Sequence, residues 1–196
     1  MPRYIAIHPQ ACTERDLRRL VERHDEMPED TLWNRSWCGV NEPVAFCDWE
    51  AVDEQAVAEV FGAFGVPYSS IHRVTYFRGD AADTLAPDAH GLHSGNGSAR
   101  RFIAVHPESL EEEPLKRLVR RWREELPRDV LWRCTWAGVD DPVSFCDWEA
   151  PCAEAIAYVF GKTGVPYDAL HEVRYFDRRL SVWHDPERPI LEPAVA

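Results

Sequence analysis

The stretch Phe46-Cys47-Asp48-Trp49-Glu50-Ala51 decides the fold, because the same six residues return as Phe145-Cys146-Asp147-Trp148-Glu149-Ala150. From this anchor the match extends in both directions, over residues 4–77 and 102–176, with one inserted residue near Glu125. About half of the aligned positions are identical, and self-similarity at this level is the signature of an internal repeat. The 196-residue chain is therefore predicted to hold one unit written twice.

Composition and charge narrow the class of protein. The chain has 22 Lys and Arg against 34 Asp and Glu, a formal net charge of -12, which disfavours a general binder of the nucleic-acid backbone. No apolar run reaches the ~18 residues of a membrane helix, and the N-terminus lacks the apolar region of a secretory signal. Six cysteines without a Cys-x-x-Cys pair favour reduced thiols. We expect a cytoplasmic protein.

Each repeat is predicted to hold six elements, in the order strand, helix, strand, strand, helix, strand. In the first repeat these are a strand at 3–8, a helix from the N-cap Thr13 to Pro28, strands at 31–38 and 44–51, a helix at 53–64 and a strand at 71–77. This order is the split βαβ of the ferredoxin-like folds. We predict an α+β protein of two tandem ferredoxin-like (βαββαβ) units that form a pseudo-dimeric α/β barrel.

The predicted boundaries follow the repeat and its flanks. Repeat 1 spans residues 1–77 and repeat 2 spans residues 102–176. Residues 78–101 are rich in Gly, Ala, Asp and Ser, which is typical of a flexible linker. Residues 177–196 hold few apolar side chains and are interpreted as a C-terminal tail.

The expected topology brings polar side chains to one corner of each sheet. We expect the strand order 4-1-3-2 with strands 1 and 3 parallel, and Ile5 and Ile7 toward the helices. His8, at the carboxyl end of strand 1, would then meet Asp48 or Glu50 and His72. Trp33 and Tyr76 would form the aromatic walls of this corner. The equivalent set of the second repeat is His106, Asp147 or Glu149, and His171, with Trp132 and Tyr175 as its walls.

Two imidazoles and a carboxylate can hold a divalent transition metal with positions left open. We therefore predict a protein that binds nickel or zinc at two pseudo-symmetric His/carboxylate sites. The alternative is an enzyme that acts on a small molecule in an aromatic cleft, with His8 or His72 as base and Glu50 as acid. Cyclases, isomerases and cofactor-independent oxygenases built on dimeric α/β barrels are the analogy for it.

Structural interpretations of the same residues stay open. Asp48 and Glu50 are also candidates for pairing with arginines such as Arg35, which the second repeat replaces by Cys134. A third hypothesis is a scaffold protein whose repeats only make a fused dimer. The expected partners are a metal ion or a small molecule, with no nucleic acid and no membrane, in a monomeric pseudo-dimer that could pair further. The cysteines present in one repeat only are assigned no chemistry: Cys12, Cys38, Cys134 and Cys152.

The first repeat contains, in order, a strand ending in His, a helix, a strand reading Phe-Cys-x-x-Glu-Ala, a helix, Gly-x-Pro and a closing Ile-x-x-Val. This order of motifs resembles a family of small bacterial proteins. Some members of that family are described as nickel-responsive or nickel-binding. The resemblance implies ferredoxin-like units that pair as dimers, so that this chain looks like a fused dimer with nickel as its metal. Where the family carries histidines on its helices, this chain has apolar residues such as Val21 and Val119.

Overall fold

The computed structural model describes residues 1–78, 99–125, 127, 129–178 and 182–184. The predicted flexible linker, 78–101, therefore lies almost entirely outside the described residues, as does most of the predicted tail, 177–196. The chain divides into two compact units, Met1–Val74 with Val173–Ala196, and Thr75–Glu172. The repeat boundaries and the pseudo-dimeric barrel stay predictions.

The described elements follow the predicted order twice along the chain. They are β1 (Arg3–His8), α1 (Glu14–Glu22), β2 (Thr31–Gly39), β3 (Ala45–Ala51), α2 (Glu54–Phe64), β4 (Ser70–Arg78), β5 (Arg100–His106), α3 (Glu112–Glu125), β6 (Leu131–Gly138), β7 (Ser144–Ala150), α4 (Ala153–Thr163), β8 (Ala169–Asp177) and β9 (Val182–His184). Among the described residues, no helix is long and apolar enough to cross a membrane.

Local signals position the helices of the first unit as predicted. Thr13 caps α1, because its hydroxyl accepts a hydrogen bond from the backbone N–H of Asp16, whose carboxylate accepts one from Thr13 in return. Asp53 caps α2 by a single hydrogen bond, which its carboxylate accepts from the N–H of Ala56 at 2.9 Å. One boundary differs from the prediction: α1 ends at Glu22, and a separate 3₁₀ turn at His24–Glu26 precedes Pro28.

Gly65 ends α2 in the left-handed conformation, with φ of 66°. We predict that Gly65→Ala destabilises the protein by about 1–2 kcal/mol, because an L-residue is strained there. Gly62, inside the same helix, is the matched control: a Cβ added there meets nothing within 4 Å. Gly62→Ala is expected to stabilise by about 0.5–1 kcal/mol, and urea unfolding of both variants measures the contrast. Equal effects of the two substitutions would contradict this account.

The strands of the first unit are antiparallel where the prediction had two of them parallel. Their order is β4-β1-β3-β2, as predicted, with β2 paired on its other side to Val173–Asp177 of β8. However, β1 and β3 pair antiparallel, with Arg3 opposite Glu50 and His8 opposite Ala45. The predicted parallel pair is wrong because one hairpin separates β2 from β3 and reverses the direction of the chain.

The helix-facing side of β1 is also the opposite of the predicted one. Tyr4 and Ala6 belong to the core that packs under α1 and α2, together with Leu17 and Val57. Since successive side chains of a strand point to opposite faces, His8 shares that helix side. Ile5 and Ile7 lie on the other face of the sheet.

The second unit repeats this arrangement. Its strand order is β8-β5-β7-β6-β4, and β5, β7 and β6 pair antiparallel. The core under α3 and α4 is dominated by aromatic side chains, namely Phe102, Trp122, Trp132, Trp148 and Phe160.

Candidate functional site

The sheet separates the residues that were predicted to converge. His8 lies on the helix side, whereas Asp48 and Glu50 alternate with the helix-facing Cys47 and Trp49 and lie on the opposite face. Asp48 pairs with Ile5 across the sheet, three positions and about 10 Å along β1 from His8. His72 also pairs with Ile5, and therefore shares the face of Asp48. The predicted corner rested on parallel strands and is not formed.

Arginines hold Asp48 of the first unit, and an asparagine holds Glu50. Asp48 is 0% exposed and accepts two hydrogen bonds from Arg3, at 2.7 Å from Nε and 2.5 Å from Nη2. Arg35 Nε lies 3.2 Å from the same carboxylate. Glu50 accepts a hydrogen bond from the side-chain amide of Asn34 at 3.2 Å. Asp48 is thus committed to a buried ion pair, as the structural interpretation of the sequence expected.

The second unit repeats this ionic arrangement with one exchange. Arg101 donates to both oxygens of Asp147, at 2.5 and 2.6 Å, and also to Glu149. Arg133 donates to the other oxygen of Glu149. Cys134 stands where the first unit has Arg35, with its thiol 3.9 Å from Asp147. Burial raises the pKa of Glu149, but Arg101 and Arg133 outweigh it and lower that pKa below its ordinary value.

The remaining members of the predicted sets have other partners. His72 Nε2 lies 2.8 Å from the hydroxyl of Ser70, and His171 is half-buried on β8. The predicted aromatic walls make these contacts: Trp33 Nε1 donates to Ser36, Trp132 Nε1 donates to Thr135, the Tyr76 ring packs on Trp136, and the Tyr175 hydroxyl donates to Asp177. Among the described residues, no three His, Cys, Asp or Glu side chains are grouped so that they could hold a metal ion as the chain stands.

His8 and His106 are buried imidazoles in equivalent surroundings. His8 Nδ1 donates to the carbonyl of Pro67 at 2.8 Å, and His106 Nδ1 donates to the carbonyl of Pro166 at 2.7 Å. Because a carbonyl only accepts, the proton of each neutral ring is on Nδ1 and the lone pair is on Nε2. Both Nε2 atoms are buried and have no hydrogen-bond partner among the described residues. Burial lowers the pKa of His106.

In the first unit, three thiols share the helix side of the sheet with His8. Cys38 and His8 pair with Ala45 from its two sides, so these residues form one row across β2, β3 and β1. Cys47 lies in the next row, opposite Ser36 and Ala6. Cys12 follows β1 in the loop before α1 and packs against the same core.

These four residues, His8, Cys12, Cys38 and Cys47, form what we call the thiol–imidazole cluster. The Cys12 thiol hydrogen-bonds with Cys38 and Cys47, and these bonds together with His8 hold its pKa well below its ordinary value against the opposing effect of burial. The pKa of Cys38 is raised, chiefly by the hydrogen bond to Cys12, and that of Cys47 is raised chiefly by burial. Ser36 Oγ lies 2.9 Å from Cys47 Sγ. Cys12 is therefore the first thiol of the cluster to lose its proton.

The second unit keeps the imidazole and one thiol but not the cluster. Leu110 stands at the position of Cys12, where it packs on the core, and Ala137 stands at the position of Cys38. Cys146 matches Cys47; burial raises its pKa to about 12. Sequence reasoning missed the cluster because it set aside the cysteines present in one repeat only. The available signal was a Cys four residues after the strand-ending His8 and a second Cys beside the hairpin that leads to Cys47.

Comparison with known proteins agrees with the sequence resemblance over the first repeat. Residues 6–74 match the model of a family described as nickel responsive protein SCO4226-like. No curated protein matches the chain. The matched segment contains the whole thiol–imidazole cluster.

Solved structures match the chain over most of its length at low sequence identity. The candidate chlorite dismutase TA0507 is 12% identical, with a TM-score of 0.50, 91% of this chain covered and 96% of that chain. A mutant chlorite dismutase from Candidatus Nitrospira defluvii is 9% identical, with a TM-score of 0.50 and 92% of each chain covered. A candidate monooxygenase from Lactobacillus acidophilus is 12% identical, with a TM-score of 0.44, 98% of this chain covered and 100% of that chain.

At such identities the two chlorite dismutases show a likeness of fold alone. This chain is similar to them in its mixed α/β architecture. Over residues 6–74 it is similar to the nickel-responsive family.

Proposed function

We propose that the first unit binds a divalent transition-metal ion, nickel first and zinc second, at the thiol–imidazole cluster. The observation that carries the proposal is Nε2 of His8, which is buried without a hydrogen-bond partner among the described residues and lies on the side of the sheet that also holds three thiols. Of the eight ligands predicted from the sequence, this proposal keeps only His8. Arginine pairing of Asp48, Asp147 and Glu149 makes these carboxylates poor donors.

The donor set suits a borderline or soft metal ion. Thiolate sulfur and imidazole nitrogen are ligands of zinc, nickel and copper, whereas magnesium and calcium take oxygen. His8 already holds its proton on Nδ1, so Nε2 is the nitrogen free to bind. The hydrogen bond to the Pro67 carbonyl fixes the orientation of the ring, as such bonds do for metal-binding imidazoles.

As the structure stands, the described residues form no metal-binding group, so binding would need the thiols of the cluster to move. Cys38, Cys47 and His8 act to lower the pKa of Cys12, whereas the pKa values of Cys38 and Cys47 are raised. Metal ligation needs thiolates, so binding would release the remaining thiol protons. The Cys12 loop has no helical or strand hydrogen bonds to break when its thiol moves.

The family match favours the first unit as the site. It covers residues 6–74 and the second unit has Leu110 and Ala137 in place of two of the thiols. We therefore expect one site in the chain instead of the two pseudo-symmetric sites predicted from the sequence.

Two matched pairs of variants test the proposal. The full reduced chain, without a histidine tag, is titrated with Ni²⁺ and separately with Zn²⁺ by calorimetry, and bound metal is measured after gel filtration. We predict about one ion per chain, with affinity lowered at least about tenfold by Cys47→Ala and by His8→Ala. Cys146→Ala and His106→Ala remove equally buried residues of the second unit and are expected to leave affinity unchanged.

Proton release is the second measurement in the same titration. Heats in buffers of different ionisation enthalpy should show protons leaving with each ion bound, because thiols must deprotonate. The proposal would be contradicted if Cys146→Ala lowered the affinity as much as Cys47→Ala, or His106→Ala as much as His8→Ala. It would also be contradicted if the parent protein bound no metal.

A further inference from the structure

We propose that the loop between β1 and α1, residues 9–12, is the entrance to the thiol–imidazole cluster and opens more often than its counterpart in the second unit. The inference rests on the proposed metal binding for what enters, whereas the difference between the two loops is a property of the chain itself. That difference comes from Ala11 and Ala45, which stand where the second repeat has serines.

In the second unit, two serine hydroxyls fasten the loop between β5 and α3 to the neighbouring hairpin. Ser144 is 0% exposed at the start of β7. It donates to the carbonyl of Glu108 at 2.8 Å and accepts from the backbone N–H of Leu110 at 2.9 Å. Ser109 donates to the carbonyl of Gly138, the last residue of β6, at 2.5 Å. We call these three hydrogen bonds of the two serines the serine latch.

The first unit has the same backbone arrangement at this place but cannot form the latch. Ala11 and Ala45 take the positions of the two serines, and neither has a hydroxyl. The hairpin itself is alike in both units: the N–H of Gly39 bonds to the carbonyl of Val44 at 2.8 Å, and the equivalent bond of the second unit measures 2.7 Å. Each loop also packs one side chain on its core. A loop without the latch therefore opens at a lower free-energy cost.

The loop without the latch lies over the part of the sheet that carries the cluster. In the second unit the latch reaches the last residue of β6 and the first residue of β7, and the equivalent residues of the first unit are Gly39 and Ala45. Gly39 directly follows Cys38. Ala45 lies between Cys38 and His8 in one row of the sheet. Since His8 is 2% exposed and Cys38 is 0% exposed, an ion can reach them only when a covering segment moves, and this loop is the one without side-chain ties to the hairpin.

Amide hydrogen exchange tests the latch without any metal, on the full reduced chain with a chelator present. The N–H of Cys12 is the counterpart of the N–H of Leu110. Ala45→Ser supplies the missing hydroxyl and should slow exchange at Cys12 by about fivefold or more, whereas Ser144→Ala should speed exchange at Leu110 by a similar factor. Each comparison follows one amide in two variants by NMR, so its intrinsic exchange rate cancels.

Binding kinetics test the entrance. We expect Ala45→Ser to lower the rate at which Ni²⁺ binds by about fivefold or more, followed by stopped-flow absorbance of the nickel–thiolate bonds. Ser144→Ala changes only the loop of the second unit and is the matched control, which should leave this rate unchanged. Ala11→Ser adds the other hydroxyl of the latch within the loop itself, without altering the buried sheet, and should also slow both exchange and binding.

The outcomes separate this inference from the proposed metal binding. Unchanged exchange at Cys12 in both Ala45→Ser and Ala11→Ser would overturn the inference, as would an unchanged rate of Ni²⁺ binding in a variant whose exchange has slowed. A parent chain that binds no Ni²⁺ would overturn the proposed function and the role of the loop as an entrance. The exchange contrast would still show whether the serine latch decides how often each loop opens.

Discussion

Arg101→Met should destabilise the protein by about 3–5 kcal/mol, because it leaves a buried carboxylate without its cation. Asp147 is 0% exposed, and both of its oxygens are held by Arg101. Its other hydrogen bond comes from the weak thiol donor Cys134. Urea unfolding at neutral pH measures the loss as a shift of the midpoint.

The first unit supplies the matched comparison. Arg3→Met removes the equivalent arginine, but Arg35 Nε stays 3.2 Å from Asp48, so a smaller loss of about 1–3 kcal/mol is expected. In the Arg101→Met background, Asp147→Asn removes the unpaired charge and should restore part of the stability. If Arg101→Met lowers the free energy of unfolding no more than Arg3→Met does, then Arg35, the second cation beside Asp48, does not protect the first unit.

Trp148→Ala should cost a similar amount, about 3–5 kcal/mol, because it opens a large cavity in the core of the second unit. The Trp148 ring is 0% exposed and makes edge contacts with Trp122 and Phe160 at centroid distances of 4.8 and 5.4 Å. Thermal and urea unfolding should both register the change.

An exposed aromatic of the same unit is the control. Tyr158 on α4 is 61% exposed, so Tyr158→Ala should change the stability by no more than about 0.5 kcal/mol. Trp148→Phe keeps a ring and should lie between the two. If Trp148→Ala cost less than about 1 kcal/mol, the aromatic core would not be the source of this unit's stability.

The secondary structure could be predicted because its signals are local. Thr13 and Asp53 cap their helices through side-chain hydrogen bonds three residues along the chain, and Gly65 ends α2 by its own backbone freedom. Such signals need no knowledge of the rest of the fold. Five of the six predicted elements of the first repeat match the structure to within one residue at each end, and only the end of α1 differs by more.

The faces of β1 could not be predicted in the same way. Successive side chains of a strand form two sets, one on each face of the sheet. In a strand with one face in solvent, the polar set marks the exposed face and the apolar set marks the buried one. Here Tyr4 is 4% exposed and Ile5 is 1% exposed, so both faces are apolar and buried. Hydrophobicity therefore gave no basis for choosing between them, and the choice of Ile5 and Ile7 placed His8 on the wrong side of the sheet.

The histidines of the candidate site could be predicted from the sequence, but the cluster of thiols could not. His8 and His106 stood out because both repeats keep them, and the structure buries both with an unpartnered Nε2 among the described residues. Cys12 and Cys38 did not stand out, because a search for shared residues discards what only one repeat has. Cross-strand register brings Cys38 and Cys47 to the sheet face of His8, and sequence spacing does not display that register.

The pairing of β2 with β8 has a consequence for biosynthesis. Arg35 lies opposite Asp177, about 140 residues later in the chain, so closing this contact carries a large loop entropy and must await the synthesis of residue 177. Until then the nascent first unit carries an open strand edge that includes Trp37. Such edges invite pairing with other chains, so the interval between synthesis of residue 39 and residue 177 is when aggregation threatens this protein most.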